Sequence, residues 1–135
     1  MKTRNSHPTP LRIGILGCAN IARQFARDVA DSPAVRVVAV ASRSADKARE
    51  FAGTFHLPRH HSTYDALLAD AEVDAVYIPL PNSMHAPWAR AAARSGKAVL
   101  CEKPLALNAA EAQAMFATAA QHSVVLLESY PYWFQ

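Results

Sequence analysis

Cysteine is scarce in this chain, with two in 135 residues, Cys18 and Cys101, far apart and without ligand-like spacing. That excludes a disulfide framework and reads as two ordinary thiols of a reducing compartment, so the expected location is cytoplasmic. No apolar run is long enough to span a bilayer. The opening MKTRNSHPTP is polar and proline-bearing, and it lacks the apolar stretch of a signal peptide or anchor. A clustered charge is also missing. Lys and Arg number 14 against 11 Asp and Glu, a formal net charge of +3, but the basic residues are scattered. Nucleic-acid surfaces carry basic stripes with interleaved aromatics, so neither a nucleic acid nor a membrane is an expected partner. Among six histidines only His60 and His61 are adjacent, and no second ligand pair stands at metal spacing. The pair reads as a solvated loop, with no metal expected. There is no internal repeat, and no low-complexity segment beyond a mild alanine bias.

What is present is a core. With 51% hydrophobic and 19% charged residues, the length suits a single globular domain. Apolar runs alternate with helical spacing. Leu11–Gly17, Val35–Ser42, Asp74–Leu80, Ala98–Glu102 and Ser123–Glu128 read as strands, being short, apolar and rich in β-branched residues. Helical patterns fall at Asn20–Ala30, from Ser44 to about Phe55, briefly through Leu67 and Leu68, from Met84 to Arg94, and from Asn108 to about Gln121. Ser44 can cap its helix, Asn108 with Glu111 resembles a capping box, and Gly96 acts as a stop. Alternating βα units with buried strands predict an α/β fold: a doubly wound parallel sheet in three αβα layers, the Rossmann fold. The expected strand order is 3-2-1-4-5-6.

In such a sheet ligands bind beyond the carboxyl ends of the strands, where strand order reverses. The first end, GILGCANIA, approximates a dinucleotide fingerprint with Gly17 in the tight-turn place, Ala19 in that of the second glycine and Ala22 in that of the third. Gly17, Cys18, Ala19, Asn20 and Ile21 are the candidate cofactor-binding turn; a plain strand-to-helix turn is the competing reading. The second end carries Ser42 and Arg43, with Lys47 four residues beyond Arg43. An NAD site wants a carboxylate here for the ribose 2′-hydroxyl. A guanidinium faces a 2′-phosphate and stacks on adenine, so the cofactor implied is NADP rather than NAD. The fourth end, PLPNSMH, must turn sharply at Pro79 and Pro81; Asn82 is either a turn residue or a ligand, and His85 faces cleft or solvent. The fifth end, VLCEKPL, finishes a core strand with Glu102, Lys103 and Pro104. That places Lys103 on the cleft rim, with Glu102 on the opposite side of the strand, where a structural partner suits it better than catalysis. Lys103–Pro104 is expected to be cis.

GILGCANIA, ASRSADKA, PLPNSMHAPWA and GKAVLCEKPLAL together resemble the N-terminal domain of the Gfo/Idh/MocA oxidoreductases, a family that includes glucose–fructose oxidoreductase, inositol dehydrogenase and dihydrodiol dehydrogenase. The resemblance runs from Arg12 to about Phe134, and the EKP tripeptide is its most specific mark. It implies that Lys103 is the catalytic lysine at the substrate oxygen beside the nicotinamide. It implies further that Pro79, Leu80, Asn82, His85, Glu102 and Lys103 border the cofactor cleft. It also divides the chain into a disordered segment 1–10, an NADP-binding domain 11–128, and a segment 129–135 that begins the crossover to a substrate domain. The function so implied is hydride transfer between NADP(H) and a sugar, polyol or diol. The alternative is a stand-alone NADP(H)-binding or sensing module, and the 135 residues alone are expected not to turn over sugars. Self-association is expected through Tyr130, Tyr132, Trp133, Phe134 and the last strand, as a homo-oligomer, most simply a dimer.

Overall fold

The computed structural model describes residues 9–129. Most of the segment 1–10, and the aromatic residues from Tyr130 onward, lie outside the described residues. Six strands are β1 Leu11–Leu16, β2 Val35–Ala41, β3 Arg59–His61, β4 Ala75–Ile78, β5 Ala98–Glu102 and β6 Leu126–Ser129. Between them run α1 Asn20–Asp28, α2 Ala45–Phe55, α3 Tyr64–Leu68, α4 His85–Arg94 and α5 Ala109–Gln121, with a 3-10 turn at Asn82–Met84. All strand pairs are parallel and the order is β3-β2-β1-β4-β5-β6, so the expected Rossmann topology is met and the order reverses beside β1.

Two apolar clusters lie on the two faces. Ile13, Ile15, Val40 and Tyr77 pack with Ala22 and Ala26 of α1 and with Phe51 and Ala52 of α2. Leu16, Val76, Ile78 and Val99 pack with Leu67 of α3, Ala86, Ala89 and Ala92 of α4, and Met115 of α5. Alanines three residues apart on α4 leave no bulk between helix and sheet, so the helix seats closely. Gly14 does the same for α3, since a Cβ there would stand 2.8 Å from Leu67 Cδ2.

Caps follow the sequence. Ser44 Oγ accepts from the Lys47 N–H at 3.3 Å, and Asn108 Oδ1 accepts from the Glu111 N–H at 2.9 Å. The reciprocal arm of the box shifts by one residue, because Glu111 Oε1 accepts from the Leu107 N–H instead of the Asn108 N–H. Pro87 sits in the first turn of α4, where its missing N–H costs no intrahelical bond.

Three expectations are corrected. His60 and His61 are not a loop but belong to the edge strand β3, whose three polar residues carry no apolar signal. Helix α1 stops at Asp28 rather than Ala30. Strand β6 starts at Leu126, not Ser123, because Ser123 takes φ 56° and the Val124 N–H still bonds the Ala119 carbonyl of α5.

The amino ends of the strands are locked by charge. Asp74 accepts from the Arg12 N–H at 3.0 Å, Nε at 3.0 Å and Nη2 at 2.9 Å. Lys97 Nζ is buried and donates to the Asp70 and Val73 carbonyls, each at 2.8 Å. Asp70 Oδ2 accepts from Arg59 Nε at 2.6 Å and faces His61 Nε2 at 2.8 Å. No described helix is long and apolar enough to cross a membrane.

Candidate cofactor site

The carboxyl ends of the strands open differently. A cleft of about 510 Å³ is lined by Gly17, Cys18, Ala19, Ser42, Arg43, Ser44, Lys47 and Tyr64. Gly17 takes φ 94°, a conformation that glycine adopts at no steric cost, and its N–H bonds the Ala41 carbonyl at 2.7 Å, tying the turn to β2. A Cβ on Gly17 would also stand 3.1 Å from Leu80 Cδ2. Ala19 caps α1 without a side-chain bond. The N–H groups of Asn20 and Ile21, at the start of that helix, therefore have no intrahelical acceptor and point outward with the positive end of the helix dipole. An anion belongs there by the physics of the helix start.

Across the cleft, Ser42 is buried, and its Oγ accepts from the Ser44 N–H at 3.1 Å, which shapes the turn that exposes Arg43. Arg43 and Lys47 are exposed, and no carboxylate lines the cleft. Cys18 Sγ lies 3.7 Å from the Lys47 carbonyl oxygen, and burial pushes its thiol up, so it is a neutral part of the wall. Burial, and then the Glu102 and Glu128 carboxylates, push the Cys101 thiol up to about 12. Tyr64 carries no sequence signal beyond the Thr63 cap, whose Oγ1 accepts from the Ala66 N–H at 3.1 Å and starts α3 beside the cleft. Trp88 meets the Tyr64 ring edge-on at 5.0 Å.

The remaining candidates stand at the ends of β4 and β5, along the same edge of the sheet but outside the lining of this cleft. Pro79 and Leu80 are buried, while Asn82 is exposed in the 3-10 turn. His85 is 0% exposed, so its ring lies behind the wall rather than on it. Nδ1 stands 2.8 Å from the Pro104 carbonyl oxygen and Nε2 2.7 Å from that of Leu80. Glu102 has the structural partner expected of it, since the Tyr77 hydroxyl donates to its Oε2 at 2.7 Å. Burial, then the bond to Glu102 and its charge, push the Tyr77 phenol well up, so it stays a donor. Lys103 is exposed, and Lys103–Pro104 is cis. No group of three or more His, Cys, Asp or Glu side chains among the described residues could hold a metal.

A glycine turn under an uncapped helix, faced by two cations at the second strand end, is the arrangement of a dinucleotide site. Residues 11–130 match the family model described as "Oxidoreductase family, NAD-binding Rossmann fold" of the Gfo/Idh/MocA group. The chain belongs to that oxidoreductase family. It is 50% identical over 121 residues to a dTDP-3,4-didehydro-2,6-dideoxy-alpha-D-glucose 3-reductase from Streptomyces violaceoruber, covering 89% of this chain and 35% of that protein. Over 124 residues it is 42% identical to D-xylose 1-dehydrogenase (NADP(+)) 2 of Haloferax volcanii, covering 92% of this chain and 38% of that one. Among solved structures, the open conformation of a 3-ketoreductase from Actinomadura kijaniata, in complex with TDP-benzene and NADP, superposes with a TM-score of 0.89. That pair shares 39% identity over 93% of this chain and 40% of the ketoreductase. The chain thus spans little more than a third of the length of these family members.

Proposed function

We propose that this chain is the NADP(H)-binding part of an oxidoreductase that interconverts a hydroxyl and a carbonyl on a sugar, polyol or diol. The observation that carries the reading is the cleft itself, which joins the Gly17–Ile21 turn to Ser42, Arg43 and Lys47 with no carboxylate among them. The residues fit the cofactor. Gly17 keeps the turn tight, the start of α1 suits a pyrophosphate, and Arg43 with Lys47 suits a 2′-phosphate. The NADP named with the 3-ketoreductase and with the xylose dehydrogenase supports the same choice.

When bound, NADP(H) supplies the hydride donor or acceptor. The chain's own contribution to chemistry is Lys103. Its ammonium stands exposed beside the crevice, where it stabilises negative charge developing on a substrate oxygen or passes that oxygen a proton. Fluorescence titration with NADPH and NADH tests the cofactor reading: NADPH is expected to bind at least tenfold more tightly, as one charge-assisted contact is worth about 1.5–3 kcal/mol. Equal affinities for the two cofactors overturn it.

The reading extends to a cytoplasmic setting and to a second copy of this chain as partner. Val125 and Leu127, 59% and 53% exposed, and Leu11, 42% exposed, border an apolar hollow of about 490 Å³ over β1, β4, β5 and β6. Contiguous apolar surface of this kind on a sheet face and edge favours pairing. Light scattering at micromolar protein is expected to give a dimer mass, and a monomer mass removes the second copy.

A further inference from the structure

The His85 ring joins two loops that the sequence keeps apart. It opens α4, it is fully buried, and each ring nitrogen faces a backbone carbonyl. Leu80, at 2.7 Å from Nε2, belongs to the loop after β4 that carries Asn82. Pro104, at 2.8 Å from Nδ1, immediately follows Lys103 after β5. A carbonyl only accepts, so each contact is a hydrogen bond when the facing nitrogen carries a proton. A neutral ring makes one such bond and a doubly protonated ring makes both.

Two further side chains hold the same turn. The Leu105 N–H donates to Glu128 Oε2 of β6 at 2.7 Å, and Glu102 is held by the Tyr77 hydroxyl of β4 at 2.7 Å. Residues 102, 104 and 105 are therefore each anchored, from β4, α4 and β6 respectively. Lys103, between them, has an exposed side chain that makes no hydrogen bond or ion pair with another described residue. Its backbone is fixed while its ammonium stays available, which is the division a group acting on a ligand requires. Of the three ties, the one through His85 also reaches the Asn82 loop.

We propose that His85 is a positioning residue: its ring clasps the β4 loop to the Lys103 turn and so sets the wall that receives the nicotinamide half of the cofactor. This rests on the reading of the cleft as an NADP(H) site. If the ring only filled space in the core, its loss would weaken every ligand of the domain alike. A clasp at β4 and β5 acts on the half of the ligand that lies beyond the switch point and leaves the half at β2 untouched.

Calorimetric titration of the whole chain and of its His85→Gln variant, with NADP⁺ and with adenosine 2′,5′-bisphosphate, separates these cases. The bisphosphate reports the β2 half and shows that the domain is folded. His85→Gln is expected to weaken NADP⁺ by about tenfold while the bisphosphate stays within about twofold, the scale of one preorganising hydrogen bond. Equal losses for both ligands, or no loss for either, overturn the clasp alone. An unmodified chain that binds neither ligand overturns the site reading and the clasp with it. If the variant does not fold, the unmodified chain labelled with ¹⁵N-histidine decides. The His85 ring signals are expected to shift with NADP⁺ and not with the bisphosphate; ring signals that NADP⁺ leaves unmoved overturn the proposal.

Discussion

Arg43→Ala removes a guanidinium that the fold presents without using. Arg43 follows β2 in a turn shaped by the Ser44 N–H on Ser42 Oγ, and none of these atoms belongs to the Arg43 side chain. The Lys47 side chain is likewise free of the α2 cap, because Ser44 Oγ takes the Lys47 backbone N–H. The domain should therefore keep its stability while the site loses one cation. A charge-assisted bond to a phosphate contributes about 1.5–3 kcal/mol, and the exposure of Arg43 selects the lower end of that range through solvent screening. That predicts about a tenfold rise in the NADPH dissociation constant and almost none in that of NADH. The loss should shrink as salt rises from 50 to roughly 500 mM, since the contact is made in water. Paired fluorescence titrations with NADPH and NADH at two ionic strengths provide the assay. A variant that loses affinity for both cofactors in equal measure would refute the assignment, because Arg43 would then act on a part of the ligand that both share.

Two other perturbations read different parts of the molecule. In an enzyme that joins this chain to a substrate domain, Lys103→Met should depress kcat by at least about a hundredfold and leave the NADPH dissociation constant unchanged; an unaltered kcat would make the lysine structural. Asp70→Asn should destabilise the fold in a pH-dependent way. Burial raises the Asp70 carboxyl, but hydrogen bonds from Arg59, the Glu72 N–H and His61 outweigh it and hold it at about 2 against 3.8. A lowered folded-state value contributes stability above the unfolded value and loses it as pH falls through the folded one. The difference from wild type, about 2.4 kcal/mol at most at 1.36 kcal/mol per unit, should thus be full at pH 6 and fade between about pH 4 and 2 in urea melts. A difference that does not vary with pH would show that the carboxylate is not what holds that corner.

Much of this fold is legible in the sequence. Buried strands such as Ala75–Ile78 announce themselves by apolar content alone, and the alternation with helical spacing sets the winding. The candidate site turns stand out in the sequence because Gly17, Arg43 and Lys103 are residue types that a strand end does not need for packing. β3 does not, because Arg59, His60 and His61 form a strand only through their partners: backbone pairing with Ala39–Ala41, and Asp70 bonds to two side chains. Tyr64 was hidden for a similar reason, since its place beside Gly17 depends on α3 crossing under β1 at Gly14. His85 was visible as a residue and invisible as a clasp. The two carbonyls that its ring nitrogens face lie five and nineteen residues away, and backbone carbonyls leave no mark in a sequence.

The two ends of the sheet divide the labour by how they treat charge. At the amino ends Arg12 pairs with Asp74 and Glu72, Asp70 with Arg59, and buried Lys97 with two carbonyls, whereas Arg36 of β2 is exposed. Lys97 shows how tight that end is, since desolvation lowers its pKa while Asp70 and Asp74 pull it back up. At the carboxyl ends the pattern inverts. Backbone groups are tied by Ser42, His85 and Glu128, Tyr77 holds the Glu102 carboxylate, and the cations Arg43, Lys47 and Lys103 are left exposed. An exposed cation on a rigid turn adds little to folding, because water already solvates it and its entropy is kept. It does prepare binding, because the ordering of the turn is complete before the ligand arrives. Arg43 and Lys103 on anchored turns, with Lys47 in the first turn of α2, present three exposed cations along the one edge where this topology receives ligands, an arrangement that suits a polyanionic dinucleotide.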